Sequence, residues 1–467
     1  MADPVVSNAW RGEAVAGPFS PQAGKWALGQ VQPGITTAAP PQHDPWDWRA
    51  SQVGWGLLLP DTEGFSVNDL IEAKDAPEPL QALVAARGPA PVLRWRREQP
   101  DVLLRHYSGF ANPEPIPIGG TPRGIADGAI PSFLLLWGGL DRLPWRLLYN
   151  LNLDPRIFAG RLPPMSDEAL ERYVTALIGE WDKPAPAHAQ ALVWATDHSA
   201  TDISRLMRLV VAEPVLAAYT ADPDITAQSR LGADATAMQL AAALAAQSPD
   251  IVVSTSHGFT GPTGAPDRER LGWLVDADFT PTDPAALLAG WLPHGAIWYA
   301  HACCGAGSDS PSTFAALFEK GSALDQMLTE VADLGSLVAP LPIALLSASR
   351  PLRAFIGHVE PTYDWTIRDQ PSRHALTDDL VRGLYNELLL GRPVGYALRA
   401  FHGRAGAEAA ALDDARADVL SGRTEPDAAL APRLRFLDRR SLVVLGDPAV
   451  ALPSTAGAPP VPAIPPP

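Results

Sequence analysis

The sequence predicts an α/β protein in which a mostly parallel sheet is flanked by helices. Three observations lead to this fold class. Short apolar runs of strand length end abruptly at glycine or polar residues. Segments with helical periodicity lie between them. The chain has 467 residues, of which 46% are hydrophobic and 19% charged, so it is long enough for two or three globular domains with a sizeable core.

The individual elements follow from these patterns. Residues 166–181 predict a helix, because Ser166 can cap it, Asp167 and Glu168 suit its first turn, and apolar residues recur at helical spacing. Residues 235–246 predict a second helix, rich in alanine and leucine. Strands are predicted at residues 132–137, 190–195, 250–254, 296–300, 352–358 and 440–445.

Charge and cysteine content exclude several classes of protein. The net charge of −16 disfavours binding to nucleic acid or to anionic membranes, and the arginines at 94, 96 and 97 form only a diffuse basic cluster. The two cysteines, Cys303 and Cys304, are adjacent and so cannot staple a disulfide scaffold. No signal peptide is visible, and the apolar run at 130–138 is too short to span a bilayer. We therefore expect a cytoplasmic protein that contacts neither membrane nor nucleic acid.

The two ends of the chain differ in composition from the body. Residues 1–50 are rich in proline, glycine, alanine and tryptophan without a sustained period, and predict an irregular arm. The tryptophans at 10, 26, 46 and 48 indicate that this arm packs on the body. Residues 454–467 form a Pro/Ala tail and predict disorder.

Two predicted strands end in reactive side chains. The run IVVSTSHG places His257 and Gly258 just after one strand, and IWYAHACCG places Cys303 just after another. The carboxyl ends of parallel strands meet at one edge of a sheet, where ligands bind. Either residue alone more often has a structural role. A histidine at such a position usually has its hydrogen bonds satisfied by nearby residues, and a cysteine usually packs as a small buried apolar residue.

Together the two residues predict nucleophilic catalysis. An imidazole beside a thiol raises the fraction of thiolate at neutral pH and can act as general base. The amides of Gly258 and Cys303 are the expected oxyanion hole. By register with the pattern Ala302-Cys303-x-Gly305, Cys303 is the expected nucleophile, and alternation along the strand end then points Cys304 away from His257 and into packing.

The motifs resemble those of caspases, gingipains and bacterial caspase-like CHAT peptidases, most closely those of gingipain-type bacterial proteins. His257 precedes Cys303 by 46 residues, and Ala302-Cys303-x-Gly305 matches the pattern around the nucleophile of caspases. Four further stretches share the resemblance: FLLLWGGLDRLP at 133–144, FAGRL at 158–162, AFIGHV at 354–359 and VLGDP at 444–448. These stretches and the two motifs span residues 130–452.

The resemblance implies a caspase-like (caspase–haemoglobinase) fold in which a non-catalytic subdomain, residues 51–183, precedes a catalytic domain, residues 184–453. It further implies a cysteine endopeptidase that works through an acyl-enzyme without a cofactor. The setting implied is bacterial regulated proteolysis or anti-phage defence, with a protein or peptide substrate and an activating partner protein.

The sequence departs from this family at two positions. Gingipains have an acidic residue that supports the histidine, and near the corresponding position this chain has Arg156, with Asp154 as the nearest carboxylate. Two residues before the nucleophile stands His301, where metacaspases tend to have aspartate. No calcium-binding signature is legible. The identity of a third catalytic residue therefore stays open.

The resemblance also suggests which residues bind substrate. In this family, loops at the same sheet edge form the pocket for the residue before the scissile bond. Asp197, Glu360 and Asp364 are candidates to line it, with Trp365 as an apolar wall. Carboxylates there favour arginine or lysine. Each of these acids is individually more typical of a solvated loop residue or a helix cap.

Other functions remain as alternatives. A metal site made of His301, Cys303 and Cys304 is disfavoured, because adjacent cysteines suit tetrahedral zinc poorly and no fourth ligand is evident; we predict no bound metal. A catalytically silent caspase-like scaffold or interaction module is the main alternative. A serine hydrolase and a P-loop enzyme are unsupported, since neither of their signature loops is present.

Overall fold

The computed structural model describes residues 43–182, 188–369 and 372–453, together with two short strands near the amino terminus. The chain divides into two compact units, residues 1–44 and 45–467. In the first unit, Val5–Ser7 (β1) pairs antiparallel with Ala14–Ala16 (β2). This pair is regular structure within a segment predicted to be irregular.

Parts of the predicted arm and tail cannot be compared with the structure. Trp10, Trp26 and the tail at 454–467 lie outside the described residues. Trp46 and Trp48 belong to the second unit. The guanidinium of Arg392 lies 3.3 Å from the ring centroid of Trp46, and that of Arg87 lies 4.0 Å from the ring centroid of Trp48. These two tryptophans therefore pack on the body of that unit.

The second unit contains the remaining strands and all of the described helices. Its strands are β3 Trp55–Pro60, β4 Val92–Trp95, β5 Val102–Arg105, β6 Glu114–Pro117, β7 Phe133–Leu136, β8 Phe158–Arg161, β9 Ala189–Ala195, β10 Ile225–Leu231, β11 Ile251–Thr255, β12 Ile297–His301, β13 Gly307–Ser308, β14 Leu337–Val338, β15 Ala354–His358 and β16 Leu442–Gly446. Its helices are α1 Val67–Ile71, α2 Glu78–Ala86, α3 Trp145–Asn152, α4 Asp167–Ile178, α5 Ile203–Met207, α6 Glu213–Ala221, α7 Ala237–Gln247, α8 Pro284–Leu288, α9 Ala323–Asp333, α10 Pro340–Leu346, α11 Asp378–Arg382, α12 Val394–Ala397, α13 Arg399–Leu420 and α14 Leu430–Arg440. Single π-helical segments, Arg208–Ala212 and Gly383–Glu387, continue α5 and α11.

Twelve of the described strands form one sheet in the order β10-β9-β11-β12-β15-β16-β8-β7-β3-β4-β5-β6. Neighbouring strands are parallel except for the pairs β15–β16, β4–β5 and β5–β6, which are antiparallel. This mostly parallel sheet with its flanking helices confirms the predicted fold class. The helices of the crossovers cover the sheet, so its central strands are buried along their whole length, as in β7 and β12.

The predicted elements appear close to their predicted positions. Ser166 caps α4, and its side chain accepts a hydrogen bond from the amide of Ala169. The six predicted strands correspond to β7, β9, β11, β12, β15 and β16. Strand β16 departs from the predicted parallel arrangement. It runs antiparallel to β15, with Ile356 opposite Val444.

Strand β16 joins the two halves of the sheet. It lies between β15 and β8, and Leu445 pairs with Arg161. Directly after β16, the buried carboxylate of Asp447 accepts a hydrogen bond from Trp55 Nε1 at 3.2 Å and forms an ion pair with Arg87 at 2.8 Å. Strands from residues 51–183 and from residues 184–453 thus occupy separate halves of one sheet, and their division into a non-catalytic and a catalytic part stays a prediction.

Three strand ends lie level at one edge of the sheet. In the parallel register, Thr255 at the end of β11 is opposite Ala195 at the end of β9 and His301 at the end of β12. Strand β15 is also parallel to β12, with Gly357 opposite Ala300. The loops that follow β9, β11, β12 and β15 therefore leave the sheet side by side. In the part of the chain that the structure describes, no helix is both long and apolar enough to cross a bilayer.

Candidate active site

His257 and Gly258 follow β11, and Cys303 follows the neighbouring strand β12. The amide of Ser256 donates to the carbonyl of His301 at 3.2 Å, which continues the strand pairing to the site. A Cβ placed on Gly258 would lie 1.8 Å from the carbonyl oxygen of Cys303. The backbones of the two predicted catalytic segments are therefore in direct contact, and only glycine fits at position 258.

The thiol of Cys303 is half-buried and has a defined partner. Its Sγ donates to the carbonyl oxygen of Thr362, 3.4 Å away in the loop after β15. Burial raises the pKa of this thiol above its ordinary value, although the backbone amides of Gly258 and Cys303 act in the opposite direction. These same two amides are the predicted oxyanion hole, and their position beside Sγ is compatible with that role.

In the resting protein, the thiol and the imidazole are not hydrogen-bonded to each other. The thiol donates to Thr362, whereas Nε2 of His257 contacts Asp202. The sequence predicts an imidazole that raises the thiolate fraction in advance. In the structure, burial raises the pKa of this thiol and so favours its neutral form. Deprotonation by His257 would then accompany attack on the substrate, as in general-base catalysis.

This resting state predicts how alkylation of Cys303 depends on pH. Because the thiol pKa is raised, the rate of reaction with iodoacetamide should rise about tenfold per pH unit from about pH 7 to about pH 8.5, without a plateau. Peptide mapping by mass spectrometry distinguishes Cys303 from Cys304, and the Cys303→Ala protein gives the background rate. A plateau below about pH 7 would show a preformed thiolate and contradict this prediction.

Asp202 is the carboxylate that supports His257. Its two oxygens lie 2.9 and 3.1 Å from His257 Nε2, and one of them also accepts from the amide of Ser204 at 2.8 Å. Burial acts to raise the pKa of Asp202, but the hydrogen bonds from Ser204 and His257 outweigh it and lower that pKa. An ionised Asp202 holds the proton of the imidazole on Nε2, so that Nδ1 is left as the basic nitrogen.

Asp202 was not among the residues singled out in the sequence. The carboxylate near the position expected from the family, Asp154, instead accepts hydrogen bonds from Arg156 and from Arg123. In the sequence, Asp202 reads as the N-cap of α5, a role it also has in the structure. The available signal was its position in the loop after β9, at the same sheet edge as the two motifs.

His198 packs against the imidazole of His257. The two rings stack with their centroids 5.3 Å apart and their planes at 10°. On its other side, His198 stacks on Phe279 with centroids 4.1 Å apart. Its Nε2 donates to the carbonyl of Asp276 at 2.8 Å. His198 is therefore fixed in orientation and limits the positions that His257 can adopt.

Cys304 lies in a different environment from Cys303. It is buried with Leu271, Val331 and Leu337, and its amide donates to the carbonyl of Glu360 at 2.9 Å. Its φ of 55° is in the left-handed region, so the chain turns sharply directly after Cys303. Burial raises the pKa of the Cys304 thiol well above its ordinary value. The geometry agrees with Cys303 as the accessible thiol.

A buried polar network lies beneath Cys303. Nδ1 of His301 is hydrogen-bonded to the hydroxyl of Tyr299 at 2.7 Å, and burial lowers the pKa of His301 to about 3. The carboxylate of Asp438 accepts from Thr362 Oγ1 at 2.7 Å and from the hydroxyl of Thr366. Because the carbonyl of Thr362 accepts from Cys303, this network fixes the loop that holds the thiol.

Two of the predicted substrate-binding carboxylates have internal partners. Asp197 forms ion pairs with Arg205 at 3.1 Å and Arg208 at 2.9 Å. Glu360 is buried and accepts hydrogen bonds from the amide and the hydroxyl of Thr313, and burial raises its pKa. Neither carboxylate presents an unpaired negative charge to a substrate.

The other two candidates lie in the loop that contacts Cys303. Asp364 and Trp365 begin a short 3-10 helix, Asp364–Thr366, two residues after Thr362, and both side chains are half-buried. The ring of Trp365 stacks on Tyr363 with centroids 4.3 Å apart. The structure therefore brings a carboxylate and an aromatic face into the same loop as the carbonyl that accepts from Cys303.

The fold is similar to that of two solved proteases. One is the Arg-specific cysteine proteinase gingipain R, with 14% identity over 86% of this chain and 79% of that one and a TM-score of 0.41. The other is described only as a protease, with 12% identity over 87% of this chain and 80% of that one and a TM-score of 0.45. The sequence matches no protein-family model and no curated protein. These likenesses concern the fold alone.

Proposed function

We propose that the chain is a cysteine endopeptidase that uses Cys303 as nucleophile and His257 as base. The observation that carries this proposal is the contact of Gly258 with the backbone of Cys303, which places the loop bearing His257 against the loop bearing the thiol. The Asp202 carboxylate on His257 Nε2 adds a group that orients the base. A nucleophile, a base and an orienting carboxylate are the parts that acyl transfer requires.

The reaction proceeds in two stages. Nδ1 of His257 accepts the thiol proton as Cys303 Sγ attacks the peptide carbonyl, and the amides of Gly258 and Cys303 stabilise the oxyanion. The imidazolium then protonates the leaving amine, which leaves an acyl-enzyme thioester. Water, deprotonated by His257, hydrolyses the thioester and regenerates the thiol. Asp202 stabilises the imidazolium in both stages, and the proposed chemistry requires no cofactor.

The proposed substrate is a protein or peptide with arginine or lysine before the scissile bond. We assign this preference to Asp364 and Trp365, because both lie in the loop whose Thr362 carbonyl accepts from Cys303. A guanidinium can stack on the indole face while it donates hydrogen bonds to the carboxylate. The setting that we propose is bacterial regulated proteolysis or anti-phage defence in the cytoplasm, with an activating partner protein. Its support is the resemblance of the sequence motifs.

Covalent labelling tests both the dyad and the basic preference. A peptidyl-arginine chloromethyl ketone should modify the wild-type protein on Cys303, and a panel of fluorogenic peptides should be cleaved after arginine or lysine. Asp364→Asn should reduce kcat/KM for these peptides by about tenfold to a hundredfold, because a charge-assisted hydrogen bond is lost. The same change should leave hydrolysis after leucine unaltered.

The outcomes separate the proposal from its main alternative. Absence of labelling and of hydrolysis across the panel would favour a catalytically silent scaffold. Preference for aspartate, leucine or asparagine before the scissile bond would support the peptidase activity but contradict the proposed preference for basic residues. The Cys303→Ala protein is the control, since it retains Cys304 and should not be labelled.

A further inference from the structure

Three metal-ligating side chains converge around His257. One ring nitrogen from each of His198 and His257 and a carboxylate oxygen of Asp202 all lie within 4.8 Å of one another. Two of the separations are 2.9 Å, between His257 Nε2 and Asp202 Oδ1, and 4.0 Å, between His198 Nδ1 and Asp202 Oδ1. The proposed peptidase chemistry uses Asp202 and His257 but gives no role to Nδ1 of His198.

That nitrogen is a buried atom without a hydrogen-bond partner. The side chain of His198 is 1% exposed, and Nδ1 makes no hydrogen bond to the described residues. Nε2 of the same ring lies 2.8 Å from the carbonyl oxygen of Asp276, which can only accept, so Nε2 carries the proton of the neutral ring. Nδ1 therefore has a free lone pair. Donation of the other ring N–H to a backbone carbonyl is typical of histidines that bind a metal.

The donor set selects among cations. Two imidazole nitrogens and one carboxylate oxygen suit zinc, whereas magnesium and calcium prefer oxygen ligands. Bonds of about 2.1 Å in a tetrahedral site place ligand atoms roughly 3.4 Å apart. The ligand atoms of the cluster lie within 4.8 Å of one another, so those farthest apart have to move closer together by about 1 Å to bind zinc. The side chain of His257 is 34% exposed, so water can occupy the fourth position.

We propose that His198, Asp202 and His257 form a reversible zinc site that inhibits the enzyme by removing His257 from the Cys–His pair. Zinc binds the lone pair of Nε2 on His257, so the proton of that ring is transferred through solvent to Nδ1. The nitrogen that would accept the thiol proton is then protonated, and Asp202 is bound to the metal. The inhibition rests on the proposed peptidase function, but the binding of zinc does not.

Zinc binding is tested on the full chain carrying Cys303→Ala, which has no catalytic thiol to bind the metal. Competition with a chromophoric zinc chelator should give one zinc per chain, and magnesium should not compete. Adding His198→Gln should weaken zinc binding by about tenfold to a hundredfold or more, because one of three ligands is lost. Adding His374→Gln instead, at an exposed histidine outside the cluster, should leave the affinity unchanged.

The outcomes test the zinc site separately from the proposed peptidase activity. Equal zinc affinity with and without His198→Gln, or no binding at all, would overturn the site. If His198→Gln unfolds the protein, Asp202→Asn in the same Cys303→Ala background gives a second measure of the loss. In the wild-type protein, the zinc concentration for half-inhibition should match the measured dissociation constant. Zinc binding without any peptidase activity would retain the site and refute only its inhibitory consequence.

Discussion

Replacing Cys303 with alanine should abolish peptide hydrolysis, whereas replacing Cys304 should preserve most of it. Loss of the nucleophile removes the covalent pathway, for which we expect a decrease in kcat of about 10⁶-fold, to background. The side chain of Cys304 packs in the apolar cluster with Leu271, so Cys304→Ala should lower the free energy of unfolding by about 1 kcal/mol without changing the site.

Steady-state kinetics on fluorogenic peptides, together with thermal unfolding, check this pair of variants. Each is the control for the other, because both remove one sulfur from adjacent positions. Activity retained in Cys303→Ala and lost in Cys304→Ala would reassign the nucleophile. Activity retained in both proteins would show that hydrolysis comes from another site or from a contaminant.

Asp202→Asn should lower kcat by about 10²- to 10⁴-fold, with little loss of stability. Asparagine can donate from its amide to Nε2 of His257, which then favours the tautomer with the proton on Nδ1, so that the base is lost. Asparagine also caps helices as well as aspartate does, and the cap of α5 on Ser204 is preserved. The substitution therefore changes the tautomer of the imidazole more than the fold.

A matched control uses the N-cap of another helix. Asp283 caps α8 and accepts from the amide of Ala285 at 2.8 Å, and Asp283→Asn repeats the chemical change away from the site. Its kcat should equal that of the wild-type protein. If Asp202→Asn retained full kcat while its unfolding temperature fell, the carboxylate would be a structural cap and not a partner of the base.

The strands that carry the site could be predicted because their sequences are unambiguous. β11 and β12 are short, begin with apolar residues and are followed within two residues by His-Gly or Cys, and every residue of both strands is buried. The edge strands β10 and β6 have no comparable apolar pattern in their sequences. β10 is partly exposed along its length, and β6 is the sequence Glu-Pro-Ile-Pro, whose prolines argue against a strand. The reversed direction of β16 depends on which strands it separates, and that is not encoded locally.

The position of His257 and Cys303 at one sheet edge could be predicted, but the side chains that surround them could not. His257 and Cys303 are marked by short local motifs, whereas Asp202 lies 55 residues before His257 and has the local appearance of an ordinary helix cap. His198 likewise has no motif of its own. Conversely, Asp197 lies at a strand end, as expected of a pocket residue, but two arginines on the following helical turns pair with it. Side-chain partners of this kind depend on tertiary packing.

The place of β16 in the sheet has a consequence for biosynthesis. During translation, β11, β12 and β15 emerge well before residues 442–446, and β8 emerges earlier still. The facing edges of β15 and β8 therefore stay unpaired on the nascent chain until the ribosome has passed Gly446, because β16 is the strand that fills the space between them. We therefore expect His257 and Cys303 to acquire a fully supported sheet only late in synthesis, and the proposed peptidase activity to appear only then.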